Sequence, residues 1–179
     1  REVRLGVIRD CSYLTLVSYE LHDYQMMREF AQKRSNELKK APADLIHGRE
    51  VVSWAWLKKG DLVKSNMLME ELGNAIKGKT PWWQVILDHT TALASFEKGN
   101  YENSIEFFRR AFDRWLPNRA PDYHFGVALI KSGRMPEGIR ELERVTWWSP
   151  ISWDALSAFG TNLYWPIAAV KAHYWLGVA

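Results

Sequence analysis

Asp88–Pro117, DHTTALASFEKGNYENSIEFFRRAFDRWLP, is the stretch on which the fold turns. It predicts a helix from about Gln84 to Lys98, a tight turn at Gly99-Asn100-Tyr101, and a second helix from about Glu102 to Trp115. Gly99 adopts positive φ without steric cost and Asn100 tolerates it, so the pair can end one helix and reverse the chain. Tyr101, Ser104, Ile105, Phe108, Ala111 and Phe112 recur at spacings of three and four, which draws one apolar stripe along the second helix. Ala92, Leu93 and Phe96 line the first helix in the same way. Two such helices leave an apolar face uncovered, so the unit needs neighbours.

The next segment repeats the design. Gly126 stands seven residues before Gly133, Glu137-Gly138-Ile139 comes after it, Leu142 and Val145 continue the stripe, and Pro150 closes it. Gly99 to Gly133 is a step of 34 residues. That period in an array of helix pairs resembles the tetratricopeptide repeat family. Gly126, Gly133, Leu142, Val145 and Pro150 match the family pattern. In the preceding unit Gly99, Tyr101, Ser104, Phe108 and Ala111 match, but Ala92 replaces the first glycine. Gly138 stands where alanine is usual. Earlier turns fall at His22-Asp23-Tyr24, with His22 in the glycine's place, and at Gly60-Asp61, giving steps of 38 and 39 residues before the step of 34.

The resemblance implies an all-α fold: a right-handed α-solenoid of antiparallel helix pairs forming a single domain over residues 1–179. The approximate repeats are 11–41, 44–74, 84–117 and 120–150, with an incomplete one at 165–179. Residues 1–10 read equally as alternating (Val3, Leu5, Val7) or as a helix start. Leu14, Val17 and Leu21 are expected on one side of the first helix. Met27, Phe30, Ala31 and Leu38 belong to its partner, ended by Ala41-Pro42. Asp44 is a good cap for a helix over Leu45–Lys59, followed by one over Val63–Leu72. Gly73, Gly78 and Pro81 are expected in a loop. Residues 151–164 fit no repeat, Gly160-Thr161-Asn162 reads as loop, and Trp165-Pro166 opens a helix with Pro in its first turn. Its Tyr174-Trp175-Leu176-Gly177 matches the start of a repeat whose second helix is missing. The expectation is therefore a piece of a longer protein, with self-association through the truncated final helix a further possibility.

Composition excludes several classes. Apolar residues make up 47% and charged residues 25%, ordinary for a folded chain, so disorder is not expected. Net charge is only +3, with no long block of like charge, which gives nucleic acid or an acidic membrane little to hold. Lys33-Arg34 and Lys39-Lys40 form the densest basic patch, more naturally a solvated helix face. The single cysteine, Cys11, forbids an internal disulfide and multi-cysteine metal sites, and reads as a small buried residue. It suits a reducing, cytoplasmic setting. No run of about 18 apolar residues exists to span a membrane.

Catalytic patterns are missing: no phosphate loop, no paired histidines at metal spacing, no nucleophile elbow. His22, His47, His89, His124 and His173 are scattered, and adjacent Asp88 and His89 point to different helix faces, which argues against a dyad. No catalytic residue, metal or cofactor is expected. In the tetratricopeptide family the leading helices line a concave face. Carried over position by position, that face holds Ser12, Leu16 and Tyr19, then Glu50, Trp54 and Leu57, then His89, Leu93 and Phe96, then Tyr123, Val127 and Ile130, with Tyr174 and Val178 from the last helix. Leu16, Trp54, Leu93 and Val127 stand where the family's carboxylate clamp has asparagine, so that clamp is absent. Two readings of the aromatic face compete: an open slot for a peptide or partner domain, or a surface filled by its own neighbours. The ten tryptophans are expected mainly to fill gaps between repeats, with sugar stacking on Trp147, Trp148 or Trp153 the weaker alternative. The leading expectation is a non-enzymatic protein-interaction scaffold. The alternative is a small-molecule-sensing domain, since such arrays resemble parts of bacterial signalling and transcription proteins.

Overall fold

A computed structural model of the chain describes residues 2–40, 49–78, 81–114, 122–147 and 161–179. Among the described residues every regular element is an α-helix. These are α1 (Glu2–Glu20), α2 (Tyr24–Leu38), α3 (Arg49–Lys58), α4 (Leu62–Ile76), α5 (Pro81–Glu97), α6 (Tyr101–Arg114), α7 (Tyr123–Lys131), α8 (Met135–Trp147) and α9 (Thr161–Val178). The chain divides into two compact units, Arg1–Trp83 and Gln84–Ala179.

Four corners share one hydrogen-bond pattern. His22, Gly60, Gly99 and Gly133 take φ of 59°, 86°, 74° and 80°. At each, the N–H of this residue reaches the carbonyl three back: Tyr19, Leu57, Phe96 and Ile130, at 2.9–3.0 Å. The next N–H reaches the carbonyl five back: Ser18, Trp56, Ser95 and Leu129, at 2.8–3.0 Å. These paired hydrogen bonds satisfy carbonyls that a helix end leaves orphaned. Three of the residues after the corner also cap the next helix. Asp23 accepts from the Met26 N–H, Asp61 from Lys64 and Asn100 from Asn103, at 2.9, 3.0 and 3.3 Å.

At the last three corners small residues stand at a fixed register, seven before and five after the corner, whereas at the first these positions hold Thr15 and Met27. Ser53 Oγ donates to the Ser65 carbonyl at 3.0 Å, and Ser104 Oγ donates to the Ala92 carbonyl at 2.9 Å. At the fourth corner the equivalents are Gly126 and Gly138. A Cβ on Gly138 would lie 2.7 Å from the Gly126 carbonyl oxygen and 2.5 Å from Ile130 Cγ1. Small side chains at these points let the helices meet and bury the larger ones. In the first unit Ile8, Cys11, Leu16, Met27, Val52, Leu72 and Ile76 are buried. In the second, Phe108 stacks on Phe112 and tilts against Phe125, joining α6 to α7. Val127, Leu142, Val145 and Ala172 join α7, α8 and α9.

Several expectations change. The first ten residues are helical from Glu2 onward. The buried side of α1 is not the expected stripe: Leu14 and Leu21 are exposed, while Ser12, Thr15 and Ser18 are buried. The reason is local. Ser12 and Thr15 return their hydroxyl hydrogens to the carbonyls of Ile8 and Cys11, so a helix can bury them without loss. Gly73 lies inside α4, and Pro81 opens α5, leaving Gly78 as the loop glycine. Thr161 and Asn162 are helical, so Pro166 stands inside α9 and not in its first turn. Ala41, Pro42, Asp44 and residues 151–160 lie outside the described residues.

Gly138→Ala tests the close crossing. Alanine should gain about 1 kcal/mol in helix propensity, but overpacking against backbone costs about 1–3 kcal/mol. A net loss is expected, seen as a lower urea midpoint by circular dichroism. His22→Gly should raise that midpoint slightly, because it removes a left-handed non-glycine residue worth about 1 kcal/mol of strain.

Candidate functional site

The side chains expected on the inner face are mostly occupied with one another. In the first unit Trp54 and Leu57 are 6% and 7% exposed. The Tyr19 hydroxyl donates to the Lys58 carbonyl at 3.2 Å. Lys58 Nζ sits 5.3 Å from the Tyr19 ring centre and 5.1 Å from that of Trp54, and 3.4 Å from Glu20. An ammonium shared by two aromatic faces and a carboxylate is well satisfied. Glu50 lies in α3, but its side chain is outside the described residues.

In the second unit Leu93 and Val127 are buried, while Phe96, Tyr123, His89 and Ile130 are half-buried. Phe96 meets Tyr101 and His124 edge-on. The Trp175 indole N–H donates to the Tyr123 hydroxyl at 3.0 Å, and Phe96, Tyr123, Ile130 and Trp175 pack on the Val127–Leu142–Val145–Ala172 cluster. The four residues in the clamp's asparagine positions, Leu16, Trp54, Leu93 and Val127, are all buried. Of the described side chains in the expected set, only Tyr174 and Val178 on the last helix are largely open, at 68% and 60%.

Asp88 and His89 do point apart. Buried Asp88 is held by Arg110 and Arg114 from α6. His89 instead crosses to Asp122, 33 residues on, with Nε2 donating to Oδ2 at 2.9 Å, and its ring meets Phe108 edge-on. Asp122 Oδ1 caps α7 by accepting the N–H groups of His124 and Phe125 at 2.8 and 3.2 Å. Its own N–H donates to buried Glu141 on α8 at 2.9 Å, and Glu141 in turn takes Arg144 at 2.8 Å. Burial pushes the Asp122 carboxyl up, but hydrogen bonds from His124 and His89 outweigh it and hold the group well below the usual carboxylate range. This node joins α5, α7 and α8. Asp122 just ahead of an apolar run is a cap signature that could have been read; its partner His89 could not.

Among the described residues, an apolar stripe on α9 and a cleft in the first unit stand open. On α9, Val170, Tyr174 and Val178 are exposed. Spaced four apart, they form one apolar stripe. The same helix turns Ala172, Trp175 and Leu176 toward the core cluster. In the first unit a cleft of about 770 Å³ lies between α2 and α4 over α3, with Ala31, Val52, Trp56, Met67 and Leu68 among its walls. Trp147 is 85% exposed, while the side chains of Trp148 and Trp153 are outside the described residues. Cys11 is buried, which pushes its thiol up and away from reactivity. Among the described residues, no acid, histidine or cysteine cluster could hold a metal, and no helix is long and apolar enough to cross a membrane.

Asp122→Asn should keep the helix cap but weaken the charge-assisted bond to His89. The expected loss at pH 7 is about 1–3 kcal/mol in urea unfolding. A depressed folded value means that unfolding takes up the proton first. The carboxylate's contribution is thus whole above about pH 4 and falls by about 1.4 kcal/mol per pH unit below it. The difference between wild type and variant should shrink on that slope in acid; a constant difference would remove the carboxylate from the account.

Compared with protein-family models, with curated proteins and with solved structures, the chain matches none.

Proposed function

We propose that the chain is a degenerate array of the tetratricopeptide type, a right-handed solenoid of antiparallel helix pairs. In this reading it is a non-enzymatic interaction module that grips a helical segment of a partner protein on the outer face of α9. The recurring corner supports the architecture, as does the shared crossing register: Ser53 with Ser65, Ala92 with Ser104, Gly126 with Gly138. A common register at three crossings is what a repeated unit produces, and a chance bundle has no reason to keep it.

The open apolar stripe Val170–Tyr174–Val178 carries the functional reading. Isolated exposed apolar residues are ordinary on a protein surface, but a stripe at helical spacing is a docking face for another helix. Gly177 strengthens the case. It holds the place in Tyr174-Trp175-Leu176-Gly177 that Gly126 holds in Tyr123-His124-Phe125-Gly126, and a Cβ there would meet nothing within 4 Å. A partner helix with a small residue could therefore approach α9 as α8 approaches α7. The inner face is a poorer candidate because Trp54, Leu57, Leu93 and Val127 are spent in the core.

A photo-crosslinking residue at position 174, used in cells, tests this. One defined protein should be captured and identified, and capture should fall at least tenfold in the Val170→Glu/Val178→Glu variant while its helicity and urea midpoint hold. Unchanged capture by the variant would defeat the reading. Capture of a second copy of this chain, confirmed by sedimentation, would replace the foreign partner with self-association.

A further inference from the structure

We propose that the partner helix taken up by α9 carries a set stripe: a small residue, a large apolar one four places on, and a third apolar one three places after that. It lies on α9 in the register in which α8 covers α7. The inference rests on the reading of α9 as a docking face and says which helix that face selects.

α9 repeats α7 at a step of 51 residues: Tyr123-His124-Phe125-Gly126-Val127 answers to Tyr174-Trp175-Leu176-Gly177-Val178. The two helices use their second and third residues alike. His124 meets Phe96 of the preceding helix pair edge-on, and Phe125 packs on Phe108 and Phe112 of the same pair. Trp175 donates its indole N–H to Tyr123 of its own preceding pair, and Trp175 and Leu176 pack on the cluster of Val127, Leu142 and Val145. Tyr123 stands edge-on to His124 as Tyr174 does to Trp175. Positions that face back in α7 therefore face back in α9, and the glycine and valine that follow them face forward in both. In α7 the forward pair is covered: a Cβ on Gly126 would lie 2.7 Å from Leu142 Cδ2, and Val127 is 2% exposed. In α9 it is open: a Cβ on Gly177 would meet nothing within 4 Å, and Val178 is 60% exposed.

The chain's own second helices show what covers such a face. Five, nine and twelve residues past their corners, α6 carries Ser104, Phe108 and Ala111, and α8 carries Gly138, Leu142 and Val145, all of them buried. α4 carries Ser65, Met69 and Leu72, with Met69 half-buried. Spacings of four and three put each trio on one helix face. α2 departs from the pattern, with Met27, Ala31 and Arg34. Each member has a physical reason. The first residue meets the backbone of the leading helix: Ser104 Oγ donates to the Ala92 carbonyl, and a Cβ on Gly138 would lie 2.7 Å from the Gly126 carbonyl oxygen. The second closes over the leading helix's small residue, as Leu142 does over Gly126. The third packs beside it, as Val145 does in the cluster with Val127.

Transferred to α9, the small residue lies against the Gly177 backbone, the large one over Gly177, and the third against Val178. One feature of α8 does not transfer. Glu141 accepts the N–H of Asp122 ahead of α7, whereas the matching place in α9 is His173, inside the helix, where the N–H serves the helix's own ladder. The partner needs no acid there.

The probe is a peptide with the sequence of α8, Met135–Trp147, held helical by a staple joining the places of Arg140 and Arg144, both exposed in α8. Fluorescence anisotropy with the full chain reads its binding. Saturable one-site binding is expected. Gly138→Leu or Leu142→Ala in the peptide should each weaken it about tenfold or more, although both variants keep an apolar face. Gly177→Leu in the chain, at a place where a side chain has room, should weaken it about as much with helicity unchanged. The inference fails if the peptide does not bind, or if either peptide variant binds like the parent. It also fails if Gly177→Leu leaves binding intact, which would put the peptide elsewhere, for instance in exchange for α8 itself. Crosslinking from position 174 is read separately: capture of a helix that lacks this stripe would overturn the register and leave α9 as the docking face.

Discussion

Each helix end must find partners for the carbonyls that its own ladder leaves unbonded. Here the solution recurs at four corners: one residue in the left-handed region turns the chain, and two N–H groups at the corner fold back onto the last turn. The corner is short, and its second residue in three cases begins capping the next helix before the previous one is finished. Chain direction is thus set by local hydrogen bonds at the corner. At three of the corners small residues, Ser, Ala or Gly, stand seven before and five after the turn; at the first, Thr15 and Met27 take those places. The aromatic layers of each unit then close around those points.

The corners were legible because glycine declares them. Gly60, Gly99 and Gly133 are visible in the sequence, and His22 could be aligned with them because Asp and Tyr come after it much as Asn and Tyr come after Gly99. Helix existence could be read from the apolar periodicity, and the all-α class was the expectation that the repeat resemblance carried. Less could be read where polar residues behave as core. Ser12, Thr15 and Ser18 are buried on α1, the first two because neighbouring carbonyls absorb their hydroxyl hydrogens, whereas Leu14 and Leu21 are left to solvent. A reading that equates apolar with buried rotates this helix the wrong way. Single glycines and prolines also misled: Gly73 and Pro166 are inside helices that tertiary packing holds together despite their local cost.

Site reading met a different obstacle. Distance in sequence from a corner suggests a common kind of face for Trp54, Phe96 and Val127, but not what else reaches that face. Lys58 lodges between Tyr19 and Trp54, and Trp175 comes to Tyr123 from 52 residues away. The Asp122 node has the same character. Each half has a local reason, a helix cap and a scattered histidine, and only the fold brings His89 to the cap. Long-range polar pairs leave no periodic mark.

The crossing of α7 and α8 has a mechanical consequence. With Gly126 and Gly138 at the contact the two backbones meet directly, and the Leu142 and Ile130 side chains close over the glycines, so added bulk at either position has nowhere to go. α9 is bedded on that block through Ala172, Trp175 and Leu176. A residue change at that crossing would therefore be felt at the bed of α9 as well as between α7 and α8.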